Sequence, residues 1–175
     1  MKELQEYQIP FVGLKLGIHH FNFELDDSFF AHFESSLVTR GKVFVDLSFD
    51  KKDRLFVLNF DISGSILTDC DRCGQPFDLP IHGNYTLYVK VGDNREEDKD
   101  NEDVIWVSEN ESMLDLSEVI YEFVHLSVPM QRVHPLNREG VPGCDPEIIK
   151  LLSNEAAEEE KKDPRWDILN NLNTN

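Results

Sequence analysis

The stretch KVFVDLSFDKKDRLFVLNFDISGSI, residues 42–66, decides the fold of this chain. Apolar and polar side chains alternate on both sides of the polar run 50–53. The alternating apolar positions are Val43, Val45, Leu47 and Phe49, then Phe56, Leu58, Phe60 and Ile62. A period of two is typical of a strand with one buried face, so two such runs around a short turn predict a β-hairpin.

The sequence on either side of the hairpin adds further β-structure. Residues 17–25 read as a strand, and residues 77–91 alternate enough for one or two more. Asp26 precedes a short apolar run, which predicts a small helix with that aspartate as its N-cap. The chain is therefore β-rich up to about residue 92.

Beyond residue 112 the hydrophobic period becomes helical. One helix is predicted to contain Leu114, Leu116, Val119, Ile120, Phe123, Val124 and Leu126, and Pro129 marks its end. A second helix is expected from Asp145 to about Lys161, and a short terminal one from Asp163. The predicted class is α+β: an antiparallel β-rich N-terminal half, as a partly closed sheet or barrel, followed by packed C-terminal helices.

These elements divide the 175 residues into three parts of one expected structural domain. Residues 1–92 form the β-rich part with a CxxC turn, 93–112 an acidic linker or loop, and 113–175 the helical part. No apolar run reaches the roughly 20 residues of a membrane-spanning helix, and the first residues lack a signal-peptide pattern. A cytoplasmic location without membrane partners is expected.

The formal net charge of −17 is unevenly distributed. Residues 93–122 carry twelve acids against two bases, a net of −10, whereas residues 123–138 carry two arginines and no acid. Since phosphate backbones repel an acidic chain, broad binding of nucleic acid is disfavoured and a basic protein is the better electrostatic partner. The acidic block is either a solvated linker or an arm that contacts such a partner.

Three cysteines, an odd number, argue against a disulfide framework. Cys70 and Cys73 form a CxxC at the tip between two predicted strands, where two thiolates can face one tetrahedral metal ion. His134 and Cys144 are the natural third and fourth ligands of a structural zinc site, because both lie in the Pro/Gly-rich stretch 129–146. His82 is a further option.

Two other interpretations of the CxxC stay open. It can be a redox pair, although such pairs occur where a strand runs into a helix, and here the flanks are β on both sides. It can also be a pair of ordinary reduced cysteines without metal. No catalytic motif is recognisable, since the sequence contains no GxSxG, no HExxH and no glycine-rich phosphate-binding loop.

Four segments in order resemble the bacterial YceD family, also called large ribosomal RNA subunit accumulation proteins. They are ILTDCDRCGQPFDLPIHGNYTLYV, LDLSEVIYEFVHLSVPMQRVHPLNREG, VPGCDP and DPRWDILNNL. The resemblance covers roughly residues 40–172. Many members carry several cysteines in the later cysteine segment, whereas this chain has Cys144 alone there, preceded by His134. A four-thiolate site within one chain is therefore excluded, and a mixed Cys/His site or no metal is left.

The resemblance implies a role in ribosome biogenesis and no enzymatic activity. The expected function is a non-catalytic factor that supports accumulation of large-subunit ribosomal RNA by binding a ribosomal protein, an assembly factor or a local rRNA element. No small-molecule substrate is expected. Candidate contacts to the partner or nucleic acid are Arg72, Arg132, Arg138 and Arg165. The alternative function is a redox or metal-dependent enzyme that uses the Cys70/Cys73 pair.

Direct RNA binding through a local basic face is a further possibility. Bases and aromatic side chains are interleaved along the predicted hairpin, as in some RNA-binding surfaces. They are Arg40, Lys42, Lys51, Lys52 and Arg54, with Phe44, Phe49 and Phe56. The plainer interpretation is that these aromatic side chains face the core and that the bases are ordinary surface residues.

Overall fold

The computed structural model describes residues 4–34, 36–92, 104–136, 140 and 143–155, with side chains described up to residue 152. Within these residues the strands are β1 (Gln8–Ile9), β2 (Gly17–Leu25), β3 (Gly41–Lys51), β4 (Leu55–Asp69), β5 (Pro76–Val91), β6 (Val104–Val107) and β7 (Leu114–Asp115). The helices are α1 (Asp27–Phe30), α2 (Ser117–Leu126) and α3 (Pro146–Glu155), with short 3₁₀ turns at Gln5–Tyr7 and Phe11–Gly13.

The predicted hairpin is confirmed. Strands β3 and β4 pair antiparallel from Gly41 opposite Ile66 to Lys51 opposite Phe56. The turn closes where the Lys52 N–H donates to the Leu55 carbonyl, 3.0 Å away. Strands β2 and β5 pair antiparallel on the two sides of this hairpin. Residues 77–91 thus belong to one long strand, not two.

The five-stranded sheet is open, so the expected partly closed sheet or barrel is not supported. Its order is β2-β3-β4-β5-β6, with β2 at one edge and β6, parallel to β5, at the other. The short strands β1 and β7 pair only with each other in the described residues. Helices and the N-terminal segment cover the apolar face, so burying that face does not require the sheet to curl on itself. The α+β class itself is confirmed.

The core lies between this apolar face and the segments that cover it. Every alternating apolar position of the hairpin named above is buried. Phe49 and Phe56 stand with ring centroids 5.3 Å apart, while Phe29 and Phe30 of α1 and Ile120 of α2 close the core from the other side. Burial of apolar area contributes about 25 cal/mol per Å², so this cluster is the main source of stability.

An aspartate near the start of α1 and of α2 accepts hydrogen bonds from the first residues of the helix, although only in α1 is it the N-cap residue. Asp26 accepts hydrogen bonds from the backbone N–H groups of Ser28 and Phe29, as the predicted N-cap. Before α2, the Asp115 carboxylate accepts from the N–H and the hydroxyl of Ser117. In the described part of the chain, no helix is long and apolar enough to cross a membrane.

Part of the stretch 93–112, expected to be an acidic linker or loop, is a strand: Val104–Val107 forms β6. Residues 93–103 lie outside the described residues, and so does the helix predicted from Asp163. The second predicted helix corresponds to α3, described from Pro146 to Glu155.

The other face of the sheet carries polar side chains exposed to solvent, and we call it the open sheet face. One row across it consists of Asn22, Asp46, Asp61 and Asn84, each directly opposite the next on neighbouring strands. The neighbouring row consists of His20, Ser48, Asn59 and Thr86. Two carboxylates, Asp46 and Asp61, therefore stand opposite each other on this face.

Candidate metal centre

Three separate segments meet beyond the end of the β4–β5 hairpin. The first is the connection between these strands, which contains Cys70 and Cys73. The second is the stretch after α2 that contains His134, and the third places Cys144 just before α3. All three cysteines are buried and carry free thiols. The potential ligand atoms of the four residues lie within 4.8 Å of one another.

Local backbone geometry turns both thiols of the CxxC to the same side. The Cys70 N–H donates to the Gln75 carbonyl at 2.9 Å, and the Gly74 N–H donates to the Cys70 carbonyl at 2.8 Å. Gly74 has φ +71°, a left-handed conformation that residues with a Cβ adopt rarely. The sequence CDRCG therefore suits this turn, because the glycine stands where the chain must reverse.

Close contacts join the donors across long sequence separations. Cys70 Sγ lies 3.8 Å from Cys144 Sγ, and Cys73 Sγ lies 3.5 Å from His134 Nδ1. The Phe77 ring packs on the His134 imidazole with centroids 4.4 Å apart. Val133, Ile148 and Ile149 complete a small apolar shell around the sulfur atoms. Phe77 also packs against the main core and so connects the two apolar clusters.

A polar clamp holds the segment of His134 against the CxxC turn. The Asp71 N–H donates to the Arg132 carbonyl at 2.7 Å, and the Arg132 N–H donates back to Asp71 Oδ2 at 2.7 Å. The Arg132 guanidinium donates to Asp71 Oδ1 at 2.8 Å. These hydrogen bonds hold the Asp71 carboxyl pKa below its usual range, mainly through the backbone N–H of Arg132.

The electrostatic surroundings distinguish the thiols. Burial opposes ionisation of Cys70, but N–H groups of Cys73, Arg72 and His134 outweigh it and lower the pKa of the thiol to about 6. Burial raises the pKa of Cys144, and the proximity of Cys70 and Cys73 raises it further. Thiolates are the form of cysteine that binds metals, so the N–H groups around Cys70 favour the ligating state.

The cluster contains the four residues that the sequence singles out as potential zinc ligands. The structure brings these four together and leaves His82 elsewhere, on the open sheet face beside Asp61. The geometry is suited to a tetrahedral ion, and whether zinc is bound there stays a prediction.

The candidate contact arginines are placed differently from one another. Arg72 is exposed on the CxxC turn next to the cluster. Arg132 is engaged by Asp71, so its charge is partly neutralised. Arg138 and Arg165 lie outside the described residues. A partner contact through these arginines stays a prediction.

Two of the three aromatic side chains near the bases of the central hairpin face the core, and the third, Phe44, lies beside Lys42. Phe49 and Phe56 are buried in the core, and only Phe44 of the three is exposed. All five bases are engaged by protein oxygen atoms: the pairs are Arg40–Asp27, Lys42–Glu24, Lys52–Asp50 and Arg54–Glu109, and Lys51 donates to the carbonyls of Phe11 and Leu14. The interpretation that these aromatic side chains face the core is therefore confirmed for Phe49 and Phe56 but not for Phe44.

Two contributors to the site are missing from the sequence-based candidates. Asp71 lies inside the CxxC and clamps Arg132, and Ile148 and Ile149 of α3 cover the sulfur atoms. An acid inside a CxxC and an apolar pair at the start of a helix are common patterns. Neither signals a role at a metal centre without the tertiary contacts.

Comparison with known proteins gives one family match. A family model described as "Large ribosomal RNA subunit accumulation protein YceD" matches residues 58–173, about two thirds of the chain. The matched range includes all four residues of the cluster. No curated protein and no solved structure is significantly similar to the chain.

Proposed function

Because this chain belongs to the YceD family of large ribosomal RNA subunit accumulation proteins, we propose that it is a non-catalytic assembly factor of the large ribosomal subunit. In this proposal it acts in the cytoplasm and binds a basic ribosomal protein or assembly factor through its acidic surface. The observation that carries the proposal is the family match over most of the chain, from the strand before the CxxC turn to the last residues.

The charge of the molecule favours a protein partner over RNA. A chain of net charge −17 repels the phosphate backbone, and each phosphate contact would need a cation that is available for it. The five bases of the central hairpin are already engaged by acids or backbone carbonyls. A basic ribosomal protein, in contrast, gains from the same negative field through faster and more selective association.

Two acidic regions are available to such a partner. Residues 93–122 carry a net charge of −10 in the sequence. The open sheet face adds Asp46 and Asp61, which are exposed and stand side by side. A complementary basic surface would relieve the electrostatic repulsion within both regions. The resulting contribution to the binding free energy becomes more favourable as the salt concentration falls.

The competing function is a redox or metal-dependent enzyme that uses Cys70 and Cys73. The four-donor cluster supports the non-catalytic alternative. A catalytic zinc ion keeps one coordination position for water or substrate, whereas four protein ligands occupy all positions of a tetrahedral ion. The buried state of all three thiols also favours a structural role over exchange with an external thiol.

The experiment is co-sedimentation of the tagged full chain with ribosomal precursors, followed by mass spectrometry of the bound proteins. It is run at low and high salt, with and without ribonuclease. A matched variant replaces the seven acids of residues 93–103 by the corresponding amides. We expect a basic protein to be captured at low salt in both ribonuclease arms, and capture to fall at high salt and in the variant. Salt-insensitive capture, or capture abolished by ribonuclease alone, would overturn the proposed mode of binding.

A further inference from the structure

Strand β2 forms an edge of the five-stranded sheet and is unpaired on its outer side. In the described part of the chain, β3 pairs with β2 and no strand lies on the other side. The nine residues of β2, GIHHFNFEL, include no proline or lysine and pair with β3 one to one, without a bulge. Proline, lysine and bulges commonly protect exposed edges from pairing with another chain, so β2 lacks these forms of protection.

Hydrogen bonds at the two ends of the central hairpin show which backbone groups face that outer side. The Leu67 N–H donates to the Arg40 carbonyl at 2.9 Å, and the Lys52 N–H donates to the Leu55 carbonyl at 3.0 Å. Successive residues of an antiparallel strand bond alternately to the two neighbouring strands. The even-numbered residues of β3 therefore bond to β4, and its odd-numbered residues bond to β2.

The register then leaves the even-numbered residues of β2 with N–H and C=O groups that point away from the sheet. They are Ile18, His20, Asn22 and Glu24, because the residues opposite them on β3 are also even-numbered. The Glu24 carbonyl confirms this direction, since it accepts a hydrogen bond from the Tyr7 hydroxyl, outside the sheet, at 3.4 Å. Ile18, His20 and Asn22 are exposed, so their backbone donors and acceptors form a row that another strand can reach.

We propose that the outer edge of β2 binds an extended basic segment of a partner protein, which adds to the sheet as a further strand. Main-chain hydrogen bonds supply affinity in complexes of this kind, and the alternating side chains of the segment supply specificity. The inference rests on the proposed function for the source of the segment, because it assigns a site on this chain to the basic partner.

On the core side of β2, the added strand meets apolar surface. Phe21 and Phe23 are partly buried and pack against the core, and the Phe23 ring lies 5.7 Å from the Tyr7 ring. A hollow of about 280 Å³ lies beside the edge at this place. Its lining residues are Glu6, Tyr7, Phe21, Asn22, Phe23 and Glu24. Every second side chain of the segment is therefore expected to be apolar and to extend this surface.

On the open sheet face, the added strand meets carboxylates. The Asn22 side chain donates to the Asp46 carboxylate, and Asp46 stands directly opposite Asn22, with Asp61 next in the same row. Long side chains on a sheet reach diagonal positions on the neighbouring strand. A lysine or arginine that the segment places beside Asn22 therefore extends toward Asp46 and offsets the repulsion between the two aspartates. The segment is thus expected to alternate basic and apolar residues.

A second copy of this chain fits the edge less well than a basic segment. Both copies would carry a net charge of −17, and their fields repel each other. The β2 strand of a second copy also contains no lysine or arginine to place near Asp46. The charge of the molecule therefore favours a basic protein as the occupant.

The first experiment adds a short capped peptide of alternating valine and arginine to the isotope-labelled full chain and follows amide hydrogen exchange in β2. In the free chain, exchange should be fast at Ile18, His20 and Asn22 and slow at His19 and Phe21, which bond to β3. The peptide should slow exchange at the first three amides by about tenfold, as one new hydrogen bond at each amide does. A matched peptide of alternating valine and glutamate should not. Equal protection by both peptides, or protection by neither, overturns the proposal.

The second experiment uses His20→Pro, with His20→Thr as the matched control. Proline removes an N–H that faces the outer side and leaves the hydrogen bonds to β3 in place, as at other sheet edges that tolerate proline. We expect His20→Pro to abolish protection of Ile18 and Asn22 by the valine–arginine peptide, and to reduce the capture of basic proteins in the co-sedimentation experiment. His20→Thr keeps the N–H and should behave like the wild type in both measurements. If His20→Pro does not fold, the exchange pattern of the wild-type chain with the two peptides decides.

The results separate this inference from the proposed function. Capture that is strong in the wild type and unchanged in His20→Pro overturns the edge as the binding site and leaves the proposed function standing. A wild-type chain that captures no basic protein contradicts the proposed function, and the peptide experiment then decides about the edge by itself. A concentration-dependent dimer that protects Ile18, His20 and Asn22 without peptide assigns the edge to a second copy and overturns the proposal.

Discussion

Asp71 and Arg132, 61 residues apart in the chain, are joined by one backbone–backbone hydrogen bond, one hydrogen bond from the Arg132 N–H to the Asp71 carboxylate and one guanidinium–carboxylate ion pair. The aspartate sits inside the CxxC, and the arginine precedes His134 by two residues. This pairing sets the register between the turn and the later segment. It therefore positions the His134 imidazole next to the Cys73 sulfur without the help of a bound metal ion.

Replacing Asp71 by alanine should loosen the segment of His134. The carboxylate accepts from both the backbone N–H and the guanidinium of Arg132, and alanine removes both acceptors while leaving the Asp71 N–H bond. We expect faster amide hydrogen exchange at residues 131–136, with Asp71→Asn intermediate because one acceptor oxygen remains. Asp78→Ala removes an exposed carboxylate from β5 and serves as the control. Unchanged exchange in Asp71→Ala would show that the clamp is dispensable.

The N-cap of α1 should make a pH-dependent contribution to stability. The hydroxyl of Ser28 and the N–H groups of Ser28 and Phe29 lower the pKa of the Asp26 carboxyl in the folded protein. A carboxyl with a lowered folded pKa stabilises the fold above its unfolded pKa of about 4, and the stabilisation is lost as the pH falls through the folded value.

Asp26→Ala should therefore lower the free energy of unfolding by about 1 kcal/mol at pH 7, the usual effect of losing an N-cap. Asp26→Ser is the matched control, because serine caps equally well without a charge. Urea unfolding at pH 7 and pH 3 measures both variants. A deficit in the alanine variant that does not shrink toward pH 3 would contradict the assigned role of the carboxylate charge.

Gly83 on β5 leaves space for the end of α2. A Cβ at this position would overlap the Ser127 hydroxyl and the Tyr85 ring, which itself stacks on Phe123. Gly83→Ala should destabilise the protein by about 1–3 kcal/mol, as overpacking does in well-packed cores. Gly13→Ala has nothing within 4 Å of the added methyl group and is the control. Thermal unfolding compares the two variants. Equal unfolding midpoints would mean that α2 can shift to accommodate the methyl group without loss of stability.

The pair of opposed carboxylates on the open sheet face should cost stability. Like charges directly opposite on antiparallel strands are destabilising, so Asp46→Asn is expected to raise the free energy of unfolding by about 0.5 kcal/mol. The amide oxygen can still accept from the Asn22 side chain. The gain should fall at high salt, which screens the repulsion.

Asp50→Asn provides the comparison, because Asp50 stands opposite Val57 and pairs with Lys52. Chemical denaturation at two salt concentrations distinguishes the variants. If Asp46→Asn is no more stable than Asp50→Asn, the repulsion between the Asp46 and Asp61 carboxylates is already relieved. His82 can relieve it, because its Nδ1 atom lies 3.9 Å from Asp61 Oδ1. In the proposed mode of binding, Asp46→Asn should also weaken capture of a basic partner.

The sequence by itself determined four of the five strands of the sheet, β2 to β5, but not β6, which lies in the stretch expected to be an acidic linker. Alternation along residues 42–66 identifies the hairpin, because side chains on a strand point alternately to opposite faces. The same local logic locates β2, the capped helix α1 and α2. It also identifies the CxxC turn and two plausible partners for it, His134 and Cys144, from residue type and neighbouring sequence.

Only the tertiary structure decided whether the sheet closes, and which histidine lies beside the thiols. Closure depends on what covers the apolar face, and here the N-terminal segment, α1 and α2 cover it, while the sheet stays open. His134 approaches Cys73 because Asp71 pairs with Arg132, whereas His82 stays on the open sheet face. Contacts across 61 and 74 residues depend on the packing of the whole molecule, and no local period in the chain encodes them.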